Sequence, residues 1–186
     1  MSTQGDYLTS QYDEIASQYD ELFTDEESLK ENKEVANLLK VINGSVYEIG
    51  CGTGLFIELH PINPDKYMGI DPSSEMLKIL RKKHPAYTHS VYDLSFEDED
   101  IWYMAYDNII SLFGSISYVK KDSLMKIADS GKDYFLMFYK KGYRPVTYEK
   151  TNVCFTHNET DIFFIEKVFP NATIFEFNNY LIVKSK

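Results

Sequence analysis

Cysteine is scarce in this chain. Cys51 and Cys154 are the two in 186 residues, too few for a disulfide framework, and this points to a reducing compartment, the cytoplasm. No apolar run approaches the roughly 20 residues needed to cross a bilayer. The N-terminus lacks the basic and apolar blocks of a signal peptide, so no membrane association is expected. Basic residues are outnumbered, with 19 Lys and Arg against 29 Asp and Glu and a net charge of −10. Nucleic-acid binders carry a basic face. The densest basic cluster here, Lys78, Arg81, Lys82 and Lys83, falls at a helix end where cations suit the macrodipole. DNA and RNA are therefore not expected as partners. Four scattered histidines and two cysteines make no ligand spacing, so no metal is expected. What the chain does have is aromatic mass: fifteen tyrosines and twelve phenylalanines in a length that suits one domain.

Periodicity predicts alternating helices and strands. Residues 10–23 place Tyr12, Ile15, Ala16, Tyr19, Leu22 and Phe23 on one helical face. A second helix is expected from Thr24, with Glu27 completing a capping box, to Ile42, ended by Asn43-Gly44. Strands are expected at 46–49, 67–70, 87–91, 107–113 and 134–139. Between them lie helices at 55–59, from Ser73 or Ser74 to a stop before Pro85, and from Asp122 to Ser130-Gly131. Residues 97–100 read as an acidic surface turn or the start of a short helix carrying Trp102. Residues 140–156 read as an irregular loop, 158–168 as a helix, and 173–184 as a hairpin turning at Asn178-Asn179. This alternation implies a doubly wound, mostly parallel α/β sheet closed by an antiparallel hairpin.

The most telling segment is Val46-Tyr-Glu-Ile-Gly-Cys-Gly-Thr-Gly54. A short strand enters a loop with glycine at every second position, where the backbone can turn with positive φ and a ligand can approach closely. About twenty residues on, a second strand ends in Asp71, placed to accept both hydroxyls of a ribose. A dinucleotide fingerprint would read G-x-G-x-x-G and seat a pyrophosphate on a helix N-terminus. The spacing here is G-x-G-x-G, and the carboxylate of Glu48 beside it would repel a pyrophosphate. It suits a cation instead.

Glu48-Ile-Gly-Cys-Gly-Thr-Gly54 resembles the first motif, acid-x-G-x-G-x-G, of class I S-adenosylmethionine-dependent methyltransferases. Gly69-Ile-Asp-Pro-Ser-Ser-Glu-Met76, Tyr92-Asp93-Leu94 and the stretch from Asp107 to Tyr118 resemble three further motifs, and the likeness spans residues 10 to 184. It implies a seven-stranded Rossmann-like sheet in the order 3-2-1-4-5-7-6 and S-adenosylmethionine as cofactor. Gly50, Cys51 and Gly52 would meet its methionine moiety, Asp71 its ribose, and Met76, Asp93 and Leu94 its adenine, with Pro72 a further cofactor contact. Ser111, Leu112 and Phe113 would flank the transferred methyl group, and Tyr118 would close the pocket. Asp107, at the far end of its strand, reads as structural. Similar small-molecule enzymes carry an N-terminal Tyr-Asp helix as a lid, which makes Tyr19 a cofactor contact. The expected organisation is one domain over 1–186, with a lid at 1–44 and a cofactor-binding core at 45–186.

The reaction implied is methyl transfer to nitrogen or oxygen of a small molecule. Alignment and desolvation carry much of such a displacement, so no strong base is demanded when the acceptor is an amine. Tyr118 and His157 are the candidate catalytic side chains. Tyr143, Arg144 and Tyr148 are candidates for the pocket wall. The rival readings are a module that binds S-adenosylmethionine or S-adenosylhomocysteine without turnover, and a nicotinamide-dependent oxidoreductase. Glu48 and the glycine spacing speak against the second. No motif bears on oligomeric state.

Overall fold

A computed structural model describes residues 4–98, 102–142 and 160–186. The helices are α1 (Gln4–Ile15), α2 (Glu26–Leu39), α3 (Leu55–Leu59), α4 (Ser74–Lys83), α5 (Lys121–Ala128) and α6 (Ile162–Val168). The strands are β1 (Val46–Ile49), β2 (Tyr67–Asp71), β3 (Val91–Asp93), β4 (Asn108–Ser111), β5 (Asp133–Tyr139), β6 (Thr173–Phe177) and β7 (Tyr180–Lys184). They form one sheet in the order β3-β2-β1-β4-β5-β7-β6. The first five strands run parallel, and β7 inserts antiparallel between β5 and β6. The chain steps outward from β1 to β3 and then returns to lay β4 on the other side of β1. That reversal opens a crevice at the C-terminal ends of β1 and β4, where ligands of such sheets bind.

Strand alternation sorts the core into two layers. Tyr47, Ile49, Ile109, Leu136 and Phe138 pack against Leu124 and Ile127 of α5 and Ile165 and Val168 of α6. Val46, Ile110, Phe135 and Met137 share the opposite layer with Val35 and Leu39 of α2, Phe56 of α3, and Leu77 and Leu80 of α4. Cover on both faces explains why β1 and β4 are buried at every position. A third, smaller cluster joins Ile15 and Ala16 to Met76, with Tyr12, Tyr19 and Leu22 around it. It holds the N-terminal segment on α4.

Several boundaries differ from the sequence expectation. Residues 10–23 are not one helix: α1 ends at Ile15 and Ala16–Phe23 continue as a 3-10 helix. Its rise of about 2.0 Å per residue, against 1.5 Å for an α-helix, stretches this segment along the core. Asp25, not Thr24, caps α2, accepting from the Ser28 N–H at 2.9 Å, while the Thr24 hydroxyl donates to the Glu21 carbonyl. Ser73 caps α4 through the Met76 N–H, and the helix ends in Arg81, Lys82 and Lys83 before Pro85. The third strand lies at Val91–Asp93, not at 87–91. Pro85 opens a 3-10 turn through Tyr87, whose hydroxyl bonds the Ile62 carbonyl. The fourth stops at Ser111, two residues before a left-handed turn. Lys121, not Asp122, starts α5, and the carboxylate that meets it comes from afar. Glu97 accepts from the Lys120 N–H at 2.7 Å and from the Ser123 hydroxyl at 2.9 Å. Residues 143–159, which hold most of the irregular loop expected at 140–156, lie outside the described residues, and α6 begins at Ile162 behind its cap Asp161.

Candidate active site

β1 ends at Ile49 and the glycine loop turns over the end of β2. The N–H groups of Gly50 and Cys51 both donate to the Ile70 carbonyl, at 2.8 and 3.0 Å. The Gly52 N–H donates to Asp71 Oδ2 at 2.9 Å. The Cys51 carbonyl is engaged as well, accepting from the Gly54 N–H at 3.0 Å, so the loop is braced by its own hydrogen bonds. Gly50 has φ 73°, and a Cβ there would collide with the side chain of Ser115. Only glycine lets the loop pass this close to the turn after β4.

Two buried carboxylates flank the loop. Glu48 is 3% exposed and accepts from the Tyr67 hydroxyl at 2.5 Å. Burial pushes its pKa up to about 8, opposed by the Tyr67 bond and assisted by the charge of Asp71. Asp71 accepts from the N–H groups of Gly52 and Ser73, at 2.9 and 2.8 Å. Burial still lifts its pKa to about 6, with those two bonds pulling down and Asp93 and Asp13 pushing up. Each Asp71 oxygen spends one lone pair on the loop and keeps another, so ribose hydroxyls remain within its capacity. Burial also pushes the Cys51 thiol well up, so that it is un-ionised.

The turn after β4 is strained. Phe113 has φ 50° and Gly114 φ 91°. A bulky residue in the left-handed region costs of order 1 to 3 kcal/mol and persists where surrounding structure over-determines it. Here the Gly114 N–H is tied to the Met137 carbonyl at 3.1 Å, and the Tyr139 ring fills the space a Cβ would need. The result is that Phe113 reaches the cleft instead of continuing β4.

The N-terminal segment covers the opening. Asp13 accepts from the Ser73 hydroxyl at 2.6 Å and from the Glu75 N–H at 3.3 Å. Asp20 accepts from the Thr53 hydroxyl at 2.5 Å and pairs with Lys83 at 2.7 Å. These bonds set Tyr12 and Tyr19, ring centroids 6.1 Å apart, against the cleft. Burial, with the Tyr19 and Tyr118 hydroxyls nearby, drives the Tyr12 pKa well above its ordinary value.

One cleft thus gathers most of the residues singled out in the sequence: Tyr19, Glu48, Gly50, Cys51, Gly52, Asp71, Pro72, Met76, Leu94, Leu112, Phe113 and Tyr118. Two are not among the described residues that line it. Asp93 pairs in register with Asp71 inside β3 and is exposed. Ser111 is buried and its hydroxyl donates to the Ile49 carbonyl at 2.8 Å, tying β4 to β1. Asp107 holds Ser45 through its N–H and hydroxyl, at 2.8 Å each, as a structural residue would. His157, Tyr143, Arg144 and Tyr148 lie outside the described residues. Asp13, Asp20, Glu31, Phe23, Tyr139 and Tyr180 went unnoticed as contributors. For the two aspartates a signal exists, since each follows a tyrosine and the Tyr-Asp pairs stand seven apart. Among the described residues no group of three metal-ligating side chains is present.

Residues 46–131 match the family model described as a methyltransferase domain. No curated protein matches the chain. Among solved structures it is similar to the CcbJ methyltransferase of Streptomyces caelestis, at 15% identity over 95% of this chain and 97% of that one, with a TM-score of 0.69. DhpI in complex with SAH gives 16%, 98% and 97%, with a TM-score of 0.68. The magnesium protoporphyrin IX methyltransferase ChlM of Synechocystis PCC 6803, with bound SAM, gives 15%, 100% and 99%, with a TM-score of 0.65. At these identities the likeness to each structure is one of fold. The sheet order, the glycine loop and the matched domain define a Rossmann-like methyltransferase fold. No helix among the described residues is long and apolar enough to cross a membrane.

Proposed function

We propose that this protein transfers the methyl group of S-adenosylmethionine to nitrogen or oxygen of a small molecule in the cytoplasm. The observation that carries the reading is convergence. Two buried carboxyl groups, a glycine-rich loop, a strained aromatic turn and a tyrosine-bearing N-terminal segment meet in one crevice at the switch point of the sheet.

The residues present fit the cofactor. Glu48 and the glycine loop suit its cationic amino-acid end, Asp71 its ribose, and Pro72, Met76 and Leu94 its adenine. When bound it would supply a methyl group on a cationic sulfur to the acceptor's lone pair, the C–S electron pair remaining with sulfur and the acceptor's proton passing to solvent. Phe113 and Tyr118 would hold the acceptor, and Tyr12 and Tyr19 would exclude water from the polar groups beneath them. Residues 1–44 act as the cover of a single domain whose core is 45–186.

Calorimetric titration with S-adenosylmethionine and S-adenosylhomocysteine tests the reading, on the wild type and on Asp71→Ala. Micromolar binding, about −8 kcal/mol, is expected to fall at least tenfold in the variant. Absence of binding to the wild type would remove the proposal. Binding without turnover across a broad panel of acceptors would favour a non-catalytic module.

A further inference from the structure

The cleft continues past the glycine loop towards β5 and the β6–β7 hairpin, and that flank has a character of its own. We propose that it receives the acceptor, and that the acceptor is a small molecule bearing an amino group; this rests on the methyltransferase reading above.

The flank is walled by aromatic rings in series. Phe113 meets Tyr180 edge-on at 5.9 Å, Tyr180 lies nearly parallel to Tyr139 at 5.7 Å, and Tyr139 meets Tyr118 edge-on at 6.4 Å. Such rings present negative faces, which attract ammonium groups. Glu31 of α2 stands on the same flank. Its Oε1 accepts from Asn178 Nδ2 at 2.8 Å, which spans the gap between α2 and the hairpin turn. Glu31 is half-buried, and the charges nearest it are also acidic: Glu27, Glu34 and Asp25. No Lys or Arg pairs with it among the described residues. Glu48 and Asp71 belong to the β1–β2 side, where the cofactor's ribose and amino-acid end are assigned. Glu31 belongs to α2 and is tied to the β6–β7 turn instead.

The described lining residues include four carboxyl side chains, Glu31, Glu48, Asp71 and Glu97, and no Lys, Arg or His; Glu48 holds its proton near neutral pH, which leaves the other three to supply negative charge. An acceptor entering with a carboxylate or phosphate would meet like charge between low-dielectric walls, where repulsion is poorly screened. An ammonium group finds both a counter-ion and aromatic faces. Selection is therefore by exclusion of anions as well as by attraction of cations.

The test uses the full chain saturated with S-adenosylhomocysteine and matched pairs of probes: benzylamine and benzoate, phenethylamine and phenylacetate, 1,4-diaminobutane and succinate. Calorimetric titration reads each affinity on the wild type and on Glu31→Gln, which keeps an acceptor for Asn178. In at least one pair the amine should bind tenfold or more tightly than its acid. Glu31→Gln should shrink that preference at least fivefold and leave S-adenosylhomocysteine affinity unchanged. The inference is overturned if no amine binds, if acids bind as well as amines, or if the preference survives in Glu31→Gln. Failure of the wild type to bind S-adenosylhomocysteine is a separate result, and it removes the underlying function with the inference.

Discussion

Glu48→Gln separates the cost of the site from its use. The buried carboxyl has an ordinary pKa of 4.5 and is held at about 8 in the fold. Unfolding releases its proton throughout that window, so the unfolded chain binds fewer protons and stability falls as pH rises. The Glu48 contribution is fully present below about pH 4.5 and is lost as pH climbs through about 8. Integrated to pH 7 the loss is about 3 kcal/mol, against under about 1 kcal/mol at pH 5. Glutamine keeps an acceptor for the Tyr67 hydroxyl and removes the ionisation. For a chain of this size each kcal/mol moves Tm by roughly 2–4 °C. Glu48→Gln should therefore melt about 6–12 °C above the wild type at pH 7 and within about 4 °C of it at pH 5, in the same buffers by calorimetry or fluorescence. Asp71, also raised, titrates in both proteins and cancels in the difference. A melting difference that stays constant from pH 5 to 8 would refute the reasoning. The stabilised variant should bind S-adenosylmethionine more weakly, since Glu48 can give up its proton to meet a cationic ligand and glutamine cannot. Binding to the wild type at pH 7 should release a proton, visible as a dependence of binding enthalpy on buffer ionisation heat.

Two further substitutions probe the scaffold. Gly114→Ala places a Cβ within the Tyr139 ring at φ 91°. It should cost at least about 2 kcal/mol of stability in chemical denaturation, combining backbone strain with overpacking; near-wild-type stability would mean the turn relaxes freely. Asp13→Ala removes the bonds to Ser73 and Glu75, worth about 1 kcal/mol. It should speed proteolysis within residues 16–23 and weaken S-adenosylhomocysteine binding about fivefold, whereas unchanged affinity would detach the N-terminal segment from the cofactor site.

Much of the site was legible because its signals are local. Glu48, the glycines and Asp71 lie within one strand–loop–helix unit and the strand that follows, whose geometry short-range rules dictate. The hairpin at β6 and β7 was equally plain, since alternating apolar residues around Asn178-Asn179 admit few other shapes. The third strand was misplaced because Tyr87, a good strand former by propensity, is held in a turn by Pro85 and by a bond to Ile62. Glu97 read as surface because its partners, Lys120 and Ser123, are more than twenty residues away.

The amino-acid sequence by itself determined the alternation of elements and the position of a glycine loop at the end of β1 with a carboxyl group beside it. Turn chemistry and hydrophobic period suffice for these. Tertiary structure decided which aromatics line the crevice, that Phe113 leaves β4 in a left-handed turn, that Ser111 ties β4 to β1, and that Asp13 and Asp20 fasten the N-terminal segment. It also decided that Glu48 is buried deeply enough to hold its proton near neutral pH. Each of these depends on groups brought together from distant positions, and desolvation and steric exclusion exist only once the chain has folded around them.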